Sequence, residues 1–448
     1  MKKNYLYILI IGLFVVTAGF IVVKYKKDEK IKTTTFYPLK DRRGLMAQSE
    51  EVKQVQKQFA DLMKIARTNP DDTKSRIALA SLYIQEARVT GDYMYYDVAA
   101  MKYVNEVLEK EPLHFEGLTY KALLNISQHH FAEGLALAEK ARAEIPDNAF
   151  VHGILVDGNV EMGNYTAAVE EAEKMMSIRP DLRSYSRVSY LREIHGDYPG
   201  AIEAMKLAVD AGYPGDEATE WARVHLGFLY ETTGELKNAE MHYLIALERR
   251  PGYAYALAGQ GRIAIAAKEY DKAIAYYLQA DSLVNDYSLK EELAKAYLLS
   301  GQKNKSDSII QWLITAMNRD AESGKDDESI GHYADKELAY IYLKTGDNDK
   351  ALEHALAEYN RRPANIEVNE TVAWVYYMKG DYNKALPYLE TAMKTKSKKP
   401  DLLCRAGLIY AKTSNKEKAK SLLEELMATH STVEQSLKAE GANTLRNL

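Results

Sequence analysis

The stretch LGFLYETTGELKNAEMHYLIALERRP, residues 226–251, decides the fold of this chain. It places a large and a small residue, an aromatic residue, a turn glycine, two small residues and a proline at fixed intervals. Gly234 ends a first helix because glycine adopts left-handed backbone geometry without strain. Pro251 ends a second helix because proline cannot continue a hydrogen-bonded turn. Small residues such as Gly227 and Ala239 let the two helices approach closely. The stretch therefore predicts a helix–turn–helix unit.

The same punctuation recurs along the chain. Four prolines follow one another at 34 residues, a fifth follows at 37, and two more toward the C-terminus are again 37 apart. A period in this range is typical of a repeat architecture. The prolines are Pro112, Pro146, Pro180, Pro214, Pro251, Pro363 and Pro400. The turn glycines are Gly163, Gly196, Gly234, Gly301, Gly346 and Gly380. A small residue follows most of these glycines by three to five positions, as expected where two helices cross.

This pattern resembles that of the tetratricopeptide-repeat family. The resemblance implies an all-α fold, a right-handed superhelical solenoid of about ten helix pairs over residues 75–428. Residues 49–70 read as an amphipathic cap helix before it. Residues 429–448 read as a polar C-terminal tail that frays. One interval, from Gly301 to Gly346, exceeds the period, and the charged stretch 318–330 accounts for the excess as a surface loop.

The N-terminus predicts a membrane anchor. After a short tail (residues 1–4), residues 5–23 form an uncharged run of 19, long enough for about 28 Å of helix, and a cationic linker (24–48) follows. Val16-Thr17-Ala18 resembles a cleavage site, so a cleaved signal peptide is the alternative. Lys2 and Lys3 favour an exported, periplasmic solenoid, whereas the lysines after the run favour a cytoplasmic one. We expect a retained transmembrane helix and an extracytoplasmic solenoid.

Composition excludes several classes of function. The net charge of −5 disfavours a nucleic-acid partner. With Cys404 as the one cysteine, neither a disulfide framework nor a cysteine-rich metal site can form within a chain. The ten histidines lack the HExxH spacing of a zinc enzyme. We therefore predict no enzymatic activity, no catalytic residues, no metal and no cofactor.

A partner of such a repeat protein is expected on the concave face, which the first helix of each pair lines. Counting inward positions from each turn gives a candidate groove rich in aromatic residues and arginine, as binding faces are. Its residues are Arg183, Tyr190, Trp221, Phe228, Tyr255 and Arg262. Part of this face could equally be inter-repeat core. Further inward positions toward the C-terminus are Tyr333, Lys336, Tyr340, Glu367, Glu370, Trp374 and Tyr377.

The carboxylate clamp of chaperone-binding family members requires lysine and asparagine four positions apart. Tyr340 follows Lys336 at that spacing, so a C-terminal carboxylate ligand is not supported. The leading hypothesis is a membrane-tethered scaffold of the bacterial cell envelope that binds a protein or peptide and raises its local concentration. The alternatives are an envelope glycan or polysaccharide receptor, or the non-catalytic regulatory arm of an envelope enzyme complex.

Overall fold

The computed structural model describes residues 13–14, 17, 35–323, 332–413, 415–429 and 433–448. The chain divides into two compact units, residues 1–41 and 42–448. In the first unit, residues 35–41 form neither helix nor strand. The second unit contains 22 α-helices among its described residues, which include no strand. The prediction of an all-α fold is confirmed.

Ten consecutive helix pairs make up most of the second unit, and each helix packs most extensively on the other member of its pair. A short 3-10 helix (Gly44–Gln48) and α1 (Glu50–Thr68) precede the pairs, and α22 (Gln435–Arg446) follows them. The pairs are α2 (Thr73–Thr90) with α3 (Tyr93–Lys110), α4 (Phe115–Ser127) with α5 (Phe131–Glu144), α6 (Ala149–Met162) with α7 (Tyr165–Ile178), α8 (Leu182–Ile194) with α9 (Tyr198–Asp210), α10 (Glu217–Thr232) with α11 (Leu236–Arg249), α12 (Ala254–Ala266) with α13 (Tyr270–Leu283), α14 (Tyr287–Leu299) with α15 (Lys303–Ser323), α16 (Asp335–Thr345) with α17 (Asn348–Arg361), α18 (Ile366–Met378) with α19 (Tyr382–Ala392), and α20 (Pro400–Ala411) with α21 (Lys416–Ala428).

Glycines on the first helices accommodate buried tyrosines on the second helices. A Cβ atom on Gly227 of α10 would lie 2.5 Å from the ring of Tyr243, and one on Gly259 of α12 would lie 2.6 Å from it. Tyr243 of α11 is completely buried between these two helices. Gly261 and Tyr277 repeat the arrangement one pair later. The small residues of the repeat thus leave room for large aromatic side chains, which close packing then stabilises.

A second set of contacts joins residues that are about 200 positions apart, roughly six repeat periods. The backbone N–H of Asn285 donates to the carbonyl of Thr90 (2.9 Å), and that of Ile366 donates to the hydroxyl of Tyr165 (2.9 Å). We call these contacts the seam. It joins Thr90, Gln128, His129, Glu161, Gly163, Tyr165 and Gly196 to Asn285, Tyr333, Arg362, Ala364, Asn365, Ile366 and Lys396.

Paired polar groups hold the central part of the seam together. Asn365 is 4% exposed, and its side-chain amide donates to the carbonyl of Glu161 at 2.9 Å. The buried guanidinium of Arg362 pairs with the Glu161 carboxylate and stacks on the ring of Phe131, 4.3 Å from its centroid. Farther toward the N-terminus, Arg250 reaches Glu51 at 3.0 Å. The first pairs of the second unit are therefore bound directly to pairs far along the chain.

The expected anchor, surface loop and C-terminal tail each have a different outcome in the structure. The predicted anchor, residues 5–23, lies outside the described residues except for Leu13, Phe14 and Thr17. Within the described ranges no helix combines the length and apolar character that crossing a membrane requires. Part of the loop expected over residues 318–330 is helical, because α15 continues to Ser323. Where we expected a polar tail, residues 435–446 form α22, whose Leu437 is buried and whose Gly441 packs against Cys404.

Candidate binding groove

Tyr190 of α8, Phe228 of α10 and Arg262 of α12 occupy equivalent repeat positions, each six residues before the residue of left-handed backbone that ends the turn. The aromatic pair stays open to solvent: Tyr190 is 37% exposed and Phe228 is 42% exposed. Burial of a large apolar ring is favourable, so rings left this accessible are the ones a partner can cover.

Arg262 lies beside Phe228 and is firmly held. Its Nε is 2.9 Å from a carboxylate oxygen of Glu231, and its terminal nitrogen is 3.1 Å from the hydroxyl of Tyr243. The guanidinium carbon is 5.7 Å from the centroid of the Phe228 ring, within cation–π range. Burial opposes the charge on Arg262, but the Glu231 carboxylate outweighs burial and raises its pKa above the ordinary value. Arg262 therefore positions Phe228, and its own charge is already neutralised.

Trp221, about two helical turns before Phe228 on α10, packs its ring against a histidine. The ring centroids of Trp221 and His225 are 3.8 Å apart, and His225 Nδ1 lies 3.0 Å from the Trp221 carbonyl oxygen. Burial lowers the pKa of His225 to about 4, so the imidazole is neutral at neutral pH. The pair forms an uncharged aromatic patch on α10, with its two rings inclined by 34°.

Tyr255 of α12 is fixed by its hydroxyl, which donates to the Asp286 carboxylate at 3.0 Å. Its ring packs edge-on against that of Tyr253, whose own hydroxyl lies 3.1 Å from Glu217. Tyr255 is partly buried, and Arg88 of α2 reaches the same Glu217 at 3.0 Å. Of the six predicted residues, the structure joins Phe228 and Arg262 directly and gives the other four separate neighbours.

A charged cluster near Tyr190 was not predicted as a unit. Lys336 of α16 is 2.9 Å from the Glu367 carboxylate of α18, and Lys399 is 3.6 Å from it. These two lysines, Lys336 foremost, hold the pKa of Glu367 well below its usual range. Partial burial of Tyr190, and then the nearby Glu367 carboxylate, raises the pKa of its hydroxyl above the ordinary value. Inward positions counted from the sequence include Lys336 and Glu367, but nothing local to either shows that α8 and α18 face each other.

Glu193, one turn after Tyr190 on α8, belongs to the same surroundings. Burial raises the pKa of its carboxyl to about 7, against an opposing effect of Lys399. In the part of the chain that the structure describes, no group of three or more histidine, cysteine or acidic side chains could hold a metal ion. The groove thus offers exposed aromatic rings beside fixed, mostly paired charges, which is chemistry for binding.

Comparisons with known proteins place residues 229–287 in the tetratricopeptide-repeat family. No curated protein sequence matches the chain significantly. Among solved structures, a tetratricopeptide repeat protein from Parabacteroides merdae is 17% identical with a TM-score of 0.36, over 59% of this chain and 99% of that one. Human IFIT1, solved as a dimer with m7Gppp-AAAA, is 14% identical with a TM-score of 0.47, over 79% of each chain. Pseudomonas aeruginosa pilF is 15% identical with a TM-score of 0.37, over 45% of this chain and 91% of that one. The family model thus matches residues 229–287, and the ten consecutive helix pairs continue the same helix–turn–helix arrangement on both sides of that stretch.

Proposed function

We propose that this protein is a scaffold that binds a protein or an extended peptide on the face of its first helices. The observation that carries the proposal is the exposure of Tyr190 and Phe228, at equivalent positions of α8 and α10, beside the fixed guanidinium of Arg262. Aromatic and arginine side chains supply most of the energy of protein interfaces. Because Arg262 is already held by Glu231, Phe228 loses little freedom when a partner covers it.

The membrane tether is the second part of the proposal. The uncharged run of residues 5–23 has the length of a membrane-spanning helix, and the linker that follows would hold the repeats close to the bilayer of the bacterial envelope. The lysines before the run favour a solenoid outside the cytoplasm. A reporter fused to the C-terminus, active on one side of the membrane only, tests this placement. Activity of a cytoplasmic reporter would contradict the extracytoplasmic assignment.

Site-specific photo-cross-linking in cells that express the full chain tests the groove. A photoreactive amino acid is placed at position 190, 228 or 244 in separate variants. Leu244 is the matched control, since it is apolar and 52% exposed but lies on the second helix of its pair, α11. We expect the same protein partner to be captured from positions 190 and 228 and not from 244.

Two results would contradict the proposal. Capture of a protein from position 244 with none from 190 or 228 would place the interface on the other face of the repeats. Absence of any captured protein, together with binding of the purified chain to a glycan array, would favour the glycan receptor instead. Exposed aromatic rings also suit a glycan ligand, so this comparison separates the two functions.

A further inference from the structure

Arg183, in the first turn of α8, differs from the neighbouring Arg88 and Arg187 because its guanidinium lies over an aromatic ring and not against a carboxylate. We propose that Arg183, with the ring of Phe150 beneath it, binds an acidic side chain of an extended peptide. This inference rests on the proposed function, since it names a chemical group of the peptide that would occupy the same face of the first helices.

The geometry of the subsite comes from three first helices. The guanidinium carbon of Arg183 lies 5.1 Å from the centroid of the Phe150 ring of α6. Tyr120 of α4 packs edge-on against Phe150 with their centroids 6.2 Å apart. Arg183 is exposed, while Phe150 and Tyr120 are partly buried. A guanidinium that stacks on an aromatic ring keeps its edge, which carries the N–H donors, free for a ligand.

The carboxylates around Arg183 already have other partners. Asp157 forms a two-point pair with Arg187, at 2.9 and 2.6 Å, and Glu217 pairs with Arg88 at 3.0 Å. Asp181 is nearest in sequence, but one of its oxygens caps α8 and the other lies 3.0 Å from the Nε of Arg179. Among the described residues, none forms an ion pair with Arg183.

The local charge balance agrees with an unmatched cation. Partial burial, and then the neighbouring cation of Arg187, lowers the pKa of Arg183 from its usual value, with Asp181 opposing them only in part. A charge that is partly desolvated and not neutralised gains most from an anionic ligand. The two neighbouring cations, Arg88 and Arg187, are already paired with Glu217 and Asp157.

The chemistry points to a carboxylate on a peptide. The planar guanidinium matches a carboxylate with two parallel hydrogen bonds. Phe150 and Tyr120 offer apolar surface for the aliphatic stem of a glutamate or for an apolar neighbour in the peptide. The net charge of the chain, −5, argues against a polyanion such as nucleic acid, which would be repelled elsewhere along the surface.

The test uses the purified full chain and a random 12-residue peptide library, followed by affinity measurements on the selected peptides. The acidic residues of each peptide are replaced by their amides, and the protein carries Arg183→Gln, Arg183→Lys or Arg192→Gln. Arg192 is the matched control: it is on the same helix, its side chain is 46% exposed and it pairs with Asp197. A further arm compares peptides with free and amidated C-termini.

We expect the selected peptides to be enriched in Asp or Glu. Arg183→Gln and the amide peptide should each weaken binding about 10-fold to 100-fold, the range for loss of a charge-assisted hydrogen bond. Their combination should be no worse than either alone, because both remove the same interaction. Arg183→Lys should recover only part of the affinity, and Arg192→Gln and C-terminal amidation should change nothing.

The outcomes separate this inference from the proposed function. Peptides that bind wild type and Arg183→Gln equally, yet lose affinity when Phe228 is replaced by serine, would overturn the inference and leave the scaffold function standing. If binding is lost only when the peptide C-terminus is amidated, the ligand of Arg183 is the terminal carboxylate and not an acidic side chain. That result would also overturn the inference. Failure of every peptide to bind would contradict both.

Discussion

Replacing Gly163 by alanine should weaken the seam, whereas the same replacement of Gly380 should not. The two glycines are matched: each ends the first helix of its pair, with φ of 79° at Gly163 and 80° at Gly380, and a polar residue and a tyrosine follow both. They differ in what surrounds them. A Cβ atom on Gly163 would lie closer than 3.0 Å to the carbonyl of Ala364, whereas one on Gly380 would meet nothing within 4 Å.

The difference in cost follows from the contacts that Ala364 adjoins. Left-handed backbone geometry costs alanine about 1–2 kcal/mol at either site. Part of this cost is offset because alanine lowers the conformational entropy of the unfolded chain. At Gly163 the backbone of Ala364 must also move to restore ordinary contact. The neighbouring bonds of Asn365 to the Glu161 carbonyl and of Ile366 to the Tyr165 hydroxyl, both 2.9 Å, would then lengthen. At about 1–2 kcal/mol for each buried bond, Gly163→Ala should cost about 2–4 kcal/mol more than Gly380→Ala.

Two measurements check this reasoning. Urea unfolding followed by circular dichroism gives the overall loss for each variant. Hydrogen exchange of the Ile366 amide reports on the seam itself, and it should accelerate about 30-fold or more in Gly163→Ala and remain unchanged in Gly380→Ala. If both variants lose the same stability within about 0.5 kcal/mol, and Ile366 exchanges at the wild-type rate in both, the contacts around Ala364 do not stabilise the fold.

Two further predictions concern buried ionisable side chains. Burial lowers the pKa of His129 in the seam to about 4, although its hydrogen bond to the Tyr333 carbonyl opposes this shift. Burial of the neutral imidazole therefore contributes its full stabilisation above pH 6.5. This contribution is lost as the pH falls from 6.5 toward 4, because the unfolded chain then binds a proton that the folded chain does not. His129→Asn, which tolerates the local φ of 65°, should therefore make the urea midpoint less dependent on pH between 6.5 and 4, and an unchanged dependence would contradict the assignment. Arg42→Gln should destabilise by about 3–5 kcal/mol, because it leaves the buried carboxylate of Glu86 unpaired, whereas Lys53→Gln, from a solvent-exposed pair, should cost less than about 1 kcal/mol in the same urea titration.

The helix pairs were predictable because their signals are local. A turn glycine, a small residue at the crossing and a closing proline each act within a few residues, so the period could be read directly from the chain. The helix α22 was missed because its sequence is polar overall. Its packing rests on single residues such as Leu437 and Gly441 against Cys404, too few to form a pattern.

The membership of the candidate groove stays a prediction, and the ion pairs within it could not be read from the sequence. The count from the turns gives Phe228 and Arg262 equivalent positions 34 residues apart on adjacent first helices, and the structure places the Arg262 guanidinium carbon 5.7 Å from the centroid of the Phe228 ring. The count could not show that Arg262 forms an ion pair with Glu231. Nor could it show that Arg183 forms no ion pair among the described residues. Both facts depend on rotamers and on carboxylates of neighbouring helices, which repeat positions alone do not specify.

The seam shows why this limit is physical. Each helix pair is rotated from the one before by a small angle, and the angle depends on packing details such as the Tyr243 ring between Gly227 and Gly259. Over six pairs these angles add up, so a slight change in each decides whether residues 200 positions apart meet or miss. Gly163 and Gly380 carry the same local signal, yet one is packed against Ala364 and the other is open. A residue of this protein therefore has two kinds of neighbour. Its sequence predicts the neighbours one repeat period away. The neighbours six periods away depend on the summed rotations of the repeats between them.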